Sequence, residues 1–251
     1  MDNKKLAKFI AALGKFNDYG STVEQTKKAL DAGSTAPLRG DNDDRVIFED
    51  TIKAINAVKQ TEFSWETIIA INSEFTGDSG EQPYHAGRLR DSVLDPIRDH
   101  IYVPLWPSAA GEDVKYYPPA QIDELDLMEI VTTWDKSPKT DKDAWRMFAS
   151  LAKLQPFQDG NKRTALLTIN HAIGALESQD YLMPPTGRQY NQFMDNLLGF
   201  YGVGLEGDNL TEKEALEEFL KVAPARQSIQ AKQLKKSRLR ENSQKKNGMS
   251  R

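Results

Sequence analysis

The sequence predicts an all-α protein, and three observations support that prediction. Apolar residues recur at intervals of three and four along most of the chain, as they do on one face of a helix. The helical stretches follow one another without the alternating strands that a parallel α/β sheet requires. The long irregular segment, residues 76–119, is rich in Gly and Pro and has room only for a short hairpin near residues 98–117. We therefore expect a helical bundle that carries one small hairpin.

Turn-forming and capping residues set the ends of the predicted helices. Ser21 and Glu24 have the spacing of a capping box, and Gly33 is placed to end the helix that they open. Ser64 is placed to cap a later helix, and residues 34–44 are turn formers. The predicted helices span residues 4–16, 21–33, 45–60, 64–75, 120–135, 141–154, 161–178, 186–201 and 211–222.

The amino-acid composition excludes several classes of protein and of functional site. The hydrophobic content of 39% is sufficient for a packed core. No stretch approaches the roughly 18 to 20 uninterrupted apolar residues that a membrane span needs. The N-terminus reads as an ordinary amphipathic helix without the cleavage site of a secretory signal. Cysteine is absent, which excludes disulfides, thiolate metal sites and a cysteine nucleophile. We therefore expect a soluble, cytoplasmic protein with no membrane partner.

Charge divides the chain unevenly. Residues 223–251 contain nine Lys or Arg residues and one acid, Glu241, so this segment carries about +8 and the remainder about −12. Such a segment is typical of a solvated, flexible tail, and the alternative is binding to nucleic acid or another acidic partner. We expect an N-terminal helical extension over residues 1–62, a central domain over residues 63–222, and a basic tail over residues 223–251.

The most informative stretch is residues 155–166, which join two predicted helices. The first turn of the second helix leaves backbone N–H groups unpaired, and the helix dipole adds a partial positive charge there. Gly160 permits close approach of a ligand, while Lys162 and Arg163 add full charges, a combination that favours a phosphate. Asp159 is placed to hold a Mg²⁺ that bridges phosphate oxygens. On these residues alone, a helix cap with a solvated basic pair is the alternative interpretation.

Residues 155–166 resemble the motif of the Fic/Doc (Fido) family, His-Pro-Phe-x-(Asp/Glu)-Gly-Asn-Gly-Arg-x-x-Arg. The match is to the Doc-like version, which has Lys in place of the last Gly and ends in Thr-Ala-Leu, and it fails at one position. Residues 117–134 and 144–154 resemble the segments that lead into the motif, and residues 85–90 resemble the start of the flap over the active site. The resemblance covers roughly residues 65–200. It implies that residues 63–222 form a Fic/Fido domain with a helical core and a short β-hairpin flap.

The resemblance also implies roles for single residues. Asp159 resembles the Mg²⁺ ligand of the family, and His85, Gly87 and Arg88 resemble the flap that pairs with a target peptide by strand addition, although an ordinary loop is an equal alternative. The positions that resemble the nucleotide-phosphate contacts are Gly160, Asn161, Lys162 and Arg163. ATP and Mg²⁺ are the implied cofactors. A protein with a Ser, Thr or Tyr hydroxyl is the implied substrate, and an antitoxin partner is implied by family analogy alone.

Two departures from the motif lead to different expectations about function. Gln155 occupies the position of the family's catalytic histidine, and an amide cannot accept a proton at neutral pH. Loss of a positioned base typically costs about 10²- to 10⁴-fold in rate, although phosphoryl transfer depends mainly on positioning and charge. Leu166 stands where AMP-transferring members have an arginine, a change shared with the Doc-like kinases.

These departures leave three hypotheses. The first is a transferase that places AMP or phosphate from ATP on a protein hydroxyl, with Gln155 at the catalytic position and low activity. The second is a catalytically degenerate Fic-fold module that binds or regulates. The third is nucleic-acid binding through the tail. Residues Ser237–Asn242 also fit the family's inhibitory pattern Ser/Thr-x-x-x-Glu-Gly/Asn, but the arginine that the inhibitory glutamate would pair with is Leu166 here, so coincidence is the favoured interpretation.

Overall fold

Ten α-helices and one two-stranded hairpin make up residues 2–78, 84–107 and 111–229, which are the residues that the computed structural model describes. The elements are α1 (Asn3–Gly14), α2 (Val23–Ala32), α3 (Asn42–Val58), α4 (Trp65–Ser73), β1 (Val103–Pro107), β2 (Asp113–Tyr116), α5 (Glu124–Asp135), α6 (Asp141–Leu154), α7 (Asn161–Ala172), α8 (Ala175–Ser178), α9 (Arg188–Tyr201) and α10 (Glu212–Val222). The predicted all-α class with a short hairpin is confirmed. None of the helices in the described ranges is both long and apolar enough to span a membrane.

Side chains cap the first turns of most helices. The capping residues are Asp2, Thr22, Asp41, Asp123, Thr140 and Thr211. The box predicted at Ser21 and Glu24 is displaced by one residue, because Thr22 caps α2 and Gln25 Oε1 accepts from Thr22 N at 2.9 Å. Ser21 instead donates its hydroxyl to the buried carboxylate of Asp44, which fixes the start of α2 against α3.

The helix predicted over residues 161–178 is broken near its C-terminal end. Helix α7 ends at Ala172, and Gly174 takes a left-handed conformation with φ of 67° before the short helix α8 begins. A residue without a Cβ adopts this conformation without steric cost, so Gly174 permits the break. The Asn170 amide then bonds the backbone N–H and C=O of Leu182, each at 2.8 Å, and fixes the returning chain on α7.

One hydrophobic core joins the N-terminal helices to the rest of the chain. The apolar face of α1 is buried in the same cluster as α6, α7, α9 and α10. At its centre lies a group of aromatic rings with neighbouring centroids between 4.9 and 6.3 Å apart, formed by Trp145, Phe148, Phe193 and Phe219. Helices α6 and α7 cross this core side by side, so the loop that joins them is held at both ends by fully packed helices.

His171 lies in the last turn of α7, at the opposite end of that helix from the motif loop. Its side chain is 6% exposed and packs on the connection between α3 and α4, with Nε2 at 3.5 Å from Thr61 Oγ1. Its ring contacts the edge of Phe63 at 5.9 Å between centroids. Burial lowers the pKa of His171 below its usual value, and the negative charge of Glu177 offsets part of that effect.

The lowered pKa of His171 predicts a loss of stability in mild acid. The unfolded chain binds the proton near pH 6.5, whereas the folded chain resists it, so the free energy of unfolding falls as pH drops below about 6.5. We expect the melting temperature to fall between pH 7.5 and 5.5, and to fall less in His171→Gln. His100→Gln, which removes an exposed histidine, serves as the control for the loss of an imidazole ring. Equal pH dependence in wild type and His171→Gln would contradict the assignment.

Candidate functional site

The motif loop begins and ends with left-handed residues. Gln155 is the C-cap of α6, with φ of 50°, and Gly160 precedes α7, with φ of 74°. A Cβ on Gly160 would lie 2.6 Å from the ring of Phe75, so both the backbone conformation and the close contact require glycine. The predicted loop between the end of α6 and residue 161 is therefore present, with α7 starting at Asn161.

The side chain of Asn161 closes this loop from the inside. Its Oδ1 accepts from Phe157 N at 2.9 Å, while its Nδ2 donates to Phe157 O at 2.7 Å and to Gln155 Oε1 at 2.9 Å. The residue is only 6% exposed, so these bonds form away from water. Asn161 was predicted as part of an anion-binding nest. Its side chain is bonded inside the loop, so only its backbone N–H, in the first turn of α7, could contribute to such a nest.

Gln155 uses both polar atoms of its side chain inside the protein. Its Nε2 donates to Ala152 O at 2.6 Å, its Oε1 accepts from Asn161, and the side chain is 6% exposed. Tyr201 is fully buried nearby, and burial raises the pKa of its hydroxyl above the usual value. The Gln155 amide therefore holds the end of α6 against the start of α7 and does not project toward a ligand.

The charged residues of the loop differ in their environments. Arg163 is 1% exposed, with its guanidinium carbon 4.6 Å from the centroid of the Phe75 ring. Lys162 is half-buried; burial lowers its pKa below the usual value, and the carboxylate of Asp159 acts in the opposite direction. Asp159 is also half-buried, and its Oδ1 accepts from Gly160 N at 2.6 Å. Asp159 and Lys162 are thus the charged side chains nearest the outside of the loop.

The first turn of α7 has no side-chain cap among the described residues, a property that it shares with the first turn of α9. The first turn of α7 also contains no acidic residue. Helices α1, α2, α3, α5, α6 and α10 each have an Asp or Thr cap. Because backbone N–H groups at a helix start attract negative charge, the start of α7 is suited to an anion supplied from outside the chain.

A metal at this loop would depend on few protein ligands. Within residues 2–78, 84–107 and 111–229, no group of three His, Asp or Glu side chains is arranged to hold a metal ion. The single carboxylate of Asp159 fits Mg²⁺, because this ion usually keeps several waters and takes one or two carboxylates together with phosphate oxygens. The donor set therefore accommodates magnesium only together with a phosphate ligand.

Asn72 of α4 connects three parts of the site, and the sequence analysis did not identify it. Its Nδ2 donates to Asp159 O and to Thr164 Oγ1, each at 3.1 Å, and its Oδ1 accepts from Gly87 N at 2.9 Å. The residue is fully buried. The sequence feature that could have identified Asn72 is its position as a polar residue on the apolar face of the helix predicted over residues 64–75.

Arg90 is a second residue that the sequence analysis quoted but did not assign. Its guanidinium donates to the carbonyls of Gln155, Asp99 and Pro119 at 3.1, 3.0 and 2.7 Å, and Arg90 N donates to Pro156 O at 2.9 Å. The side chain is 1% exposed, and burial lowers the pKa of the guanidinium, which the charge of Asp99 partly offsets. Arg90 therefore fixes the backbone of the motif loop to the segment that follows the flap.

The predicted flap residues have unequal roles. His85 is exposed, and its ring contacts Tyr84 at 4.6 Å between centroids. Gly87 has φ of 74°, and a Cβ there would overlap the side chain of Ser73. Arg88 pairs with the buried carboxylate of Asp99 at 2.9 Å. Gly87 and Arg88 are thus engaged within the chain, whereas His85 faces solvent.

The backbone of the flap is also partly occupied. Tyr84 N donates to Gln158 Oε1 at 2.7 Å, which ties the flap to the motif loop. Arg90 N, Ser92 N and Leu94 N already bond within the chain. Fewer backbone N–H groups of the flap are therefore free to pair with a target peptide by strand addition than the resemblance implied. Residues 79–83 lie outside the described residues, as do residues 230–251 with the Ser237–Asn242 pattern.

Removal of the Asn72 side chain should lower the stability of the protein measurably. Asn72→Ala removes the hydrogen bonds to the half-buried backbone groups of Asp159 and Gly87 and to the buried hydroxyl of Thr164, and an unsatisfied buried group costs about 1–3 kcal/mol. We expect the free energy of unfolding in urea to fall by at least about 2 kcal/mol. Asn56→Ala, at an exposed site on α3, is the matched control. A change in Asn72→Ala no larger than in the control would refute the bridging role.

The chain is similar to known proteins in sequence and in fold. Residues 62–173 match the sequence model of the Fic/DOC family. Fic-1 from C. elegans has 17% identity and a TM-score of 0.54, with 89% of this chain and 61% of that chain covered. A Fic domain containing signaling protein from Bacteroides thetaiotaomicron has 16% identity and a TM-score of 0.60, with 88% of this chain and 82% of that chain covered. Curated protein sequences gave no significant match.

These comparisons confirm the predicted family and fold. The chain spans about three fifths of the C. elegans Fic-1 chains that it matches. At this level of identity, the solved structures establish the fold alone. The predicted domain boundaries at residues 63 and 222 stay predictions. Residues 62–173 of the protein match the Fic/DOC family, and the chain adopts the helical Fic fold.

Proposed function

We propose that the protein binds Mg²⁺–ATP at the start of α7 and slowly transfers AMP or phosphate to a hydroxyl of a partner protein. The observation that supports this most directly is the uncapped first turn of α7, with the half-buried Lys162 in it and Asp159 just before it. A helix start that lacks its own cap and carries a lysine attracts a multiply charged phosphate chain. Gly160 leaves room for the phosphate close to the backbone.

Lys162 is the main cationic contact in this proposal. Its pKa is lowered because the ammonium group has lost water without gaining a full counter-charge. A phosphate oxygen beside it would supply that charge and restore the pKa, so binding and protonation of Lys162 favour each other. Arg163 contributes more remotely, because its guanidinium is buried against Phe75 and adds positive potential from below the loop.

Magnesium in this site would neutralise phosphate oxygens, and Asp159 would be its protein ligand. The carboxylate already accepts from Gly160 N through Oδ1, which orients it at the start of α7. A Mg²⁺ with one protein carboxylate, waters and phosphate oxygens fits this donor set. Removal of the Asp159 carboxylate should therefore weaken nucleotide binding only when magnesium is present.

The expected rate of transfer is low because the loop lacks a base. The target hydroxyl oxygen would form a bond to phosphorus while the bond to pyrophosphate or ADP breaks, and the hydroxyl proton must leave. Gln155 cannot take that proton, and its amide is already bonded to Ala152 and Asn161. The proton would pass to water instead, at a typical cost of about 10²- to 10⁴-fold relative to a positioned base.

The surface beside the loop supports a protein as the acceptor. Nine large hydrophobic side chains are exposed among the described residues, and six of them lie in residues 84–117: Tyr84, Val93, Leu94, Ile97, Tyr102 and Tyr117. This segment is tied to the motif loop through Gln158 and Arg90. A concentration of exposed apolar groups beside a site is typical of a protein-binding surface.

The second candidate is a degenerate Fic module that binds nucleotide or a partner without transfer. The internal bonding of the Gln155 amide favours it, because the residue at the catalytic position serves to fix the loop. The two candidates share the nucleotide site and differ only in turnover. They are therefore separated by measuring binding and labelling in the same set of variants.

Isothermal titration with ATP and Mg²⁺ tests the nucleotide site. We expect Asp159→Ala to weaken binding about tenfold or more in magnesium and to have little effect in EDTA, and Lys162→Ala to weaken binding under both conditions, because charged contacts contribute about 1.5–3 kcal/mol. Asp135→Ala, an exposed acid on α5, is the control and keeps wild-type affinity. Absence of heat with wild-type protein at millimolar ATP would end the proposal of a nucleotide site, and with it the transferase, and would leave only a module that binds a partner.

Introducing a histidine at the catalytic position tests turnover. A histidine tolerates the left-handed conformation of residue 155 better than most side chains and restores a proton acceptor. We expect Gln155→His to raise labelling of the protein itself, or of proteins in a cell extract, by about 10²-fold or more with α- or γ-³²P-ATP. The choice of label distinguishes AMP transfer from phosphate transfer.

The matched control is Gln158→His, which places the same ring on the same loop without filling the motif position. No gain in either variant, with ATP binding intact, would favour the degenerate module. A gain in Gln155→His alone would support a transferase fold that lacks only its base. Slow wild-type labelling abolished by Asp159→Ala would support transfer by the natural protein.

A further inference from the structure

An apolar patch lies on the surface of the segment that follows the flap. It consists of five large hydrophobic side chains that are each at least half exposed: Val93, Leu94, Ile97, Tyr102 and Tyr117. Ile97 is 92% exposed and Leu94 is 81% exposed. Single exposed apolar residues are common on proteins, whereas a group of them on neighbouring stretches of chain is typical of a docking surface.

The aliphatic and the aromatic members of the patch lie on two stretches of chain that run side by side. Ser92 donates to Ala120 O twice, from its backbone N–H at 2.8 Å and from its hydroxyl at 2.9 Å. The rings of Tyr102 and Tyr117 lie 6.0 Å apart between centroids, and the ring of His100 lies 5.6 Å from that of Tyr117. The turn that carries the aliphatic residues therefore adjoins the pair of tyrosines.

Two successive turns hold the aliphatic residues in place. Asp95 N donates to Asp91 O and Asp99 N donates to Asp95 O, each at 2.9 Å. The Asp91 carboxylate accepts from Val93 N and Leu94 N, each at 3.0 Å. The fully buried carboxylate of Asp99 accepts from Asp91 N at 2.8 Å. The turns are therefore ordered before a partner docks on them, which lowers the entropy cost of association.

The charges beside the patch balance one another. Residues 88–102 contain three Arg and three Asp residues. Arg88 lies 2.9 Å from the carboxylate of Asp99 and 3.8 Å from that of Asp95. Arg98 lies 3.6 Å from the carboxylate of Asp95. Because residues 1–222 carry about −12 in total, two copies of the chain repel one another over most of their surface, and they repel least at a patch without net charge.

The area and the neutrality of the patch favour a second copy of this chain as its occupant. Exposed fractions of 50 to 92% on five large side chains amount to on the order of 600 Å² of apolar surface. This is the upper end of what a monomer usually exposes in one patch, and with the polar groups around it the surface approaches the roughly 800 Å² that each partner of a stable complex buries. An unlike partner selected by charge would need a net charge here, which residues 88–102 do not have.

We propose that two copies of this protein associate through the apolar patch in a two-fold symmetric dimer. In such an interface both copies use the same surface, so the aliphatic side chains of each copy are covered by the patch of the other. The small area predicts a weak dimer with a dissociation constant in the micromolar range.

The dimer does not rest on the proposed nucleotide site. None of the five side chains of the patch belongs to the motif loop, and Tyr84, which is bonded to that loop through Gln158, is not among them. Association through the patch therefore requires neither ATP nor magnesium. It also does not require that the second copy be the acceptor of a transferred group.

Sedimentation velocity of the full chain over about 2 to 200 µM tests the proposal. We expect the mean mass to rise from that of a monomer toward that of a dimer. The double variant Leu94→Gln and Ile97→Gln should raise the dissociation constant at least about tenfold, because symmetry removes both side chains from each copy. The control variant Val23→Gln and Leu210→Gln changes two exposed aliphatic residues outside the patch and should change the dissociation constant less than about twofold.

The absence of cysteine from the chain permits a test of where the copies meet. Ile97→Cys places a single thiol in the patch, and Val23→Cys places a single thiol on another exposed surface. We expect a short bis-maleimide cross-linker to join two copies of Ile97→Cys efficiently at concentrations where the dimer forms. Under the same conditions, Val23→Cys should remain largely monomeric, and equal cross-linking of the two variants would contradict docking at the patch.

Four results of the sedimentation measurement would overturn the proposal. A monomer at every concentration would leave the patch to an unlike protein, and equal weakening by the patch and control variants would place the association on another surface. Loss of the dimer as salt rises to about 0.5 M would assign it to attraction between basic and acidic parts of two chains, because apolar association persists at that ionic strength. Growth beyond a dimer would exclude a closed two-fold interface. Because none of these measurements includes ATP, their failure leaves the proposed nucleotide site untouched.

Discussion

The candidate site depends on the closure of the α6–α7 loop by the buried side chain of Asn161. Its amide satisfies both backbone groups of Phe157 and reaches Gln155, so the loop has a fixed shape without any ligand. Buried bonds of this kind are expensive to break, because their partners would be left without water. From the other side, Arg90 holds the Gln155 and Pro156 carbonyls. The orientation of Asp159 and of the first turn of α7 follows from this closure.

The same closure explains how a glutamine is accommodated at the catalytic position. The residue has to adopt a left-handed conformation at the end of α6 and to face Asn161. Gln155 meets both requirements, and its second polar atom bonds the last turn of α6. The loop thus has a fixed shape, and the residue at the position of the family's histidine contributes to that shape. In the proposed function, phosphate binding and proton transfer would then be separable properties of this loop.

Much of the fold could be predicted from the sequence. Why an element was predicted or missed differs from one element to the next. Helix α6 was predicted with the bounds that the structure has, because a Thr cap, an apolar face and Pro156 mark its ends. The break after α7 was missed, since Gly174 within an apolar run gives no local signal distinguishing a tolerated glycine from a left-handed one. The shift from Ser21 to Thr22 was missed because Ser21 is used by Asp44, a partner that lies 23 residues away.

The site was predictable only as far as its motif extends. The positions of Asp159, Gly160 and Lys162 follow from local sequence, because they belong to one turn of chain. The burial of Arg163 under Phe75 and the bridges from Asn72 and Arg90 depend on contacts between distant segments. Local periodicity contains no information on such contacts. The internal bonding of the Gln155 amide was missed for the same reason, although the substitution itself was evident.

The position of Asn72 has a consequence for how the two halves of the site communicate. A single rigid amide contacts the Asp159 carbonyl on one side and the Gly87 N–H on the other. Together with Gln158 and Arg90, it links the motif loop to residues 84–90, so a ligand that displaced the loop would also displace this segment. Coupling of this kind is reciprocal. If a ligand at the loop changes the binding free energy of a protein at residues 84–90, that protein changes the binding free energy of the ligand by the same amount. The cooperativity between the two sites would then depend on how rigid these three connections are.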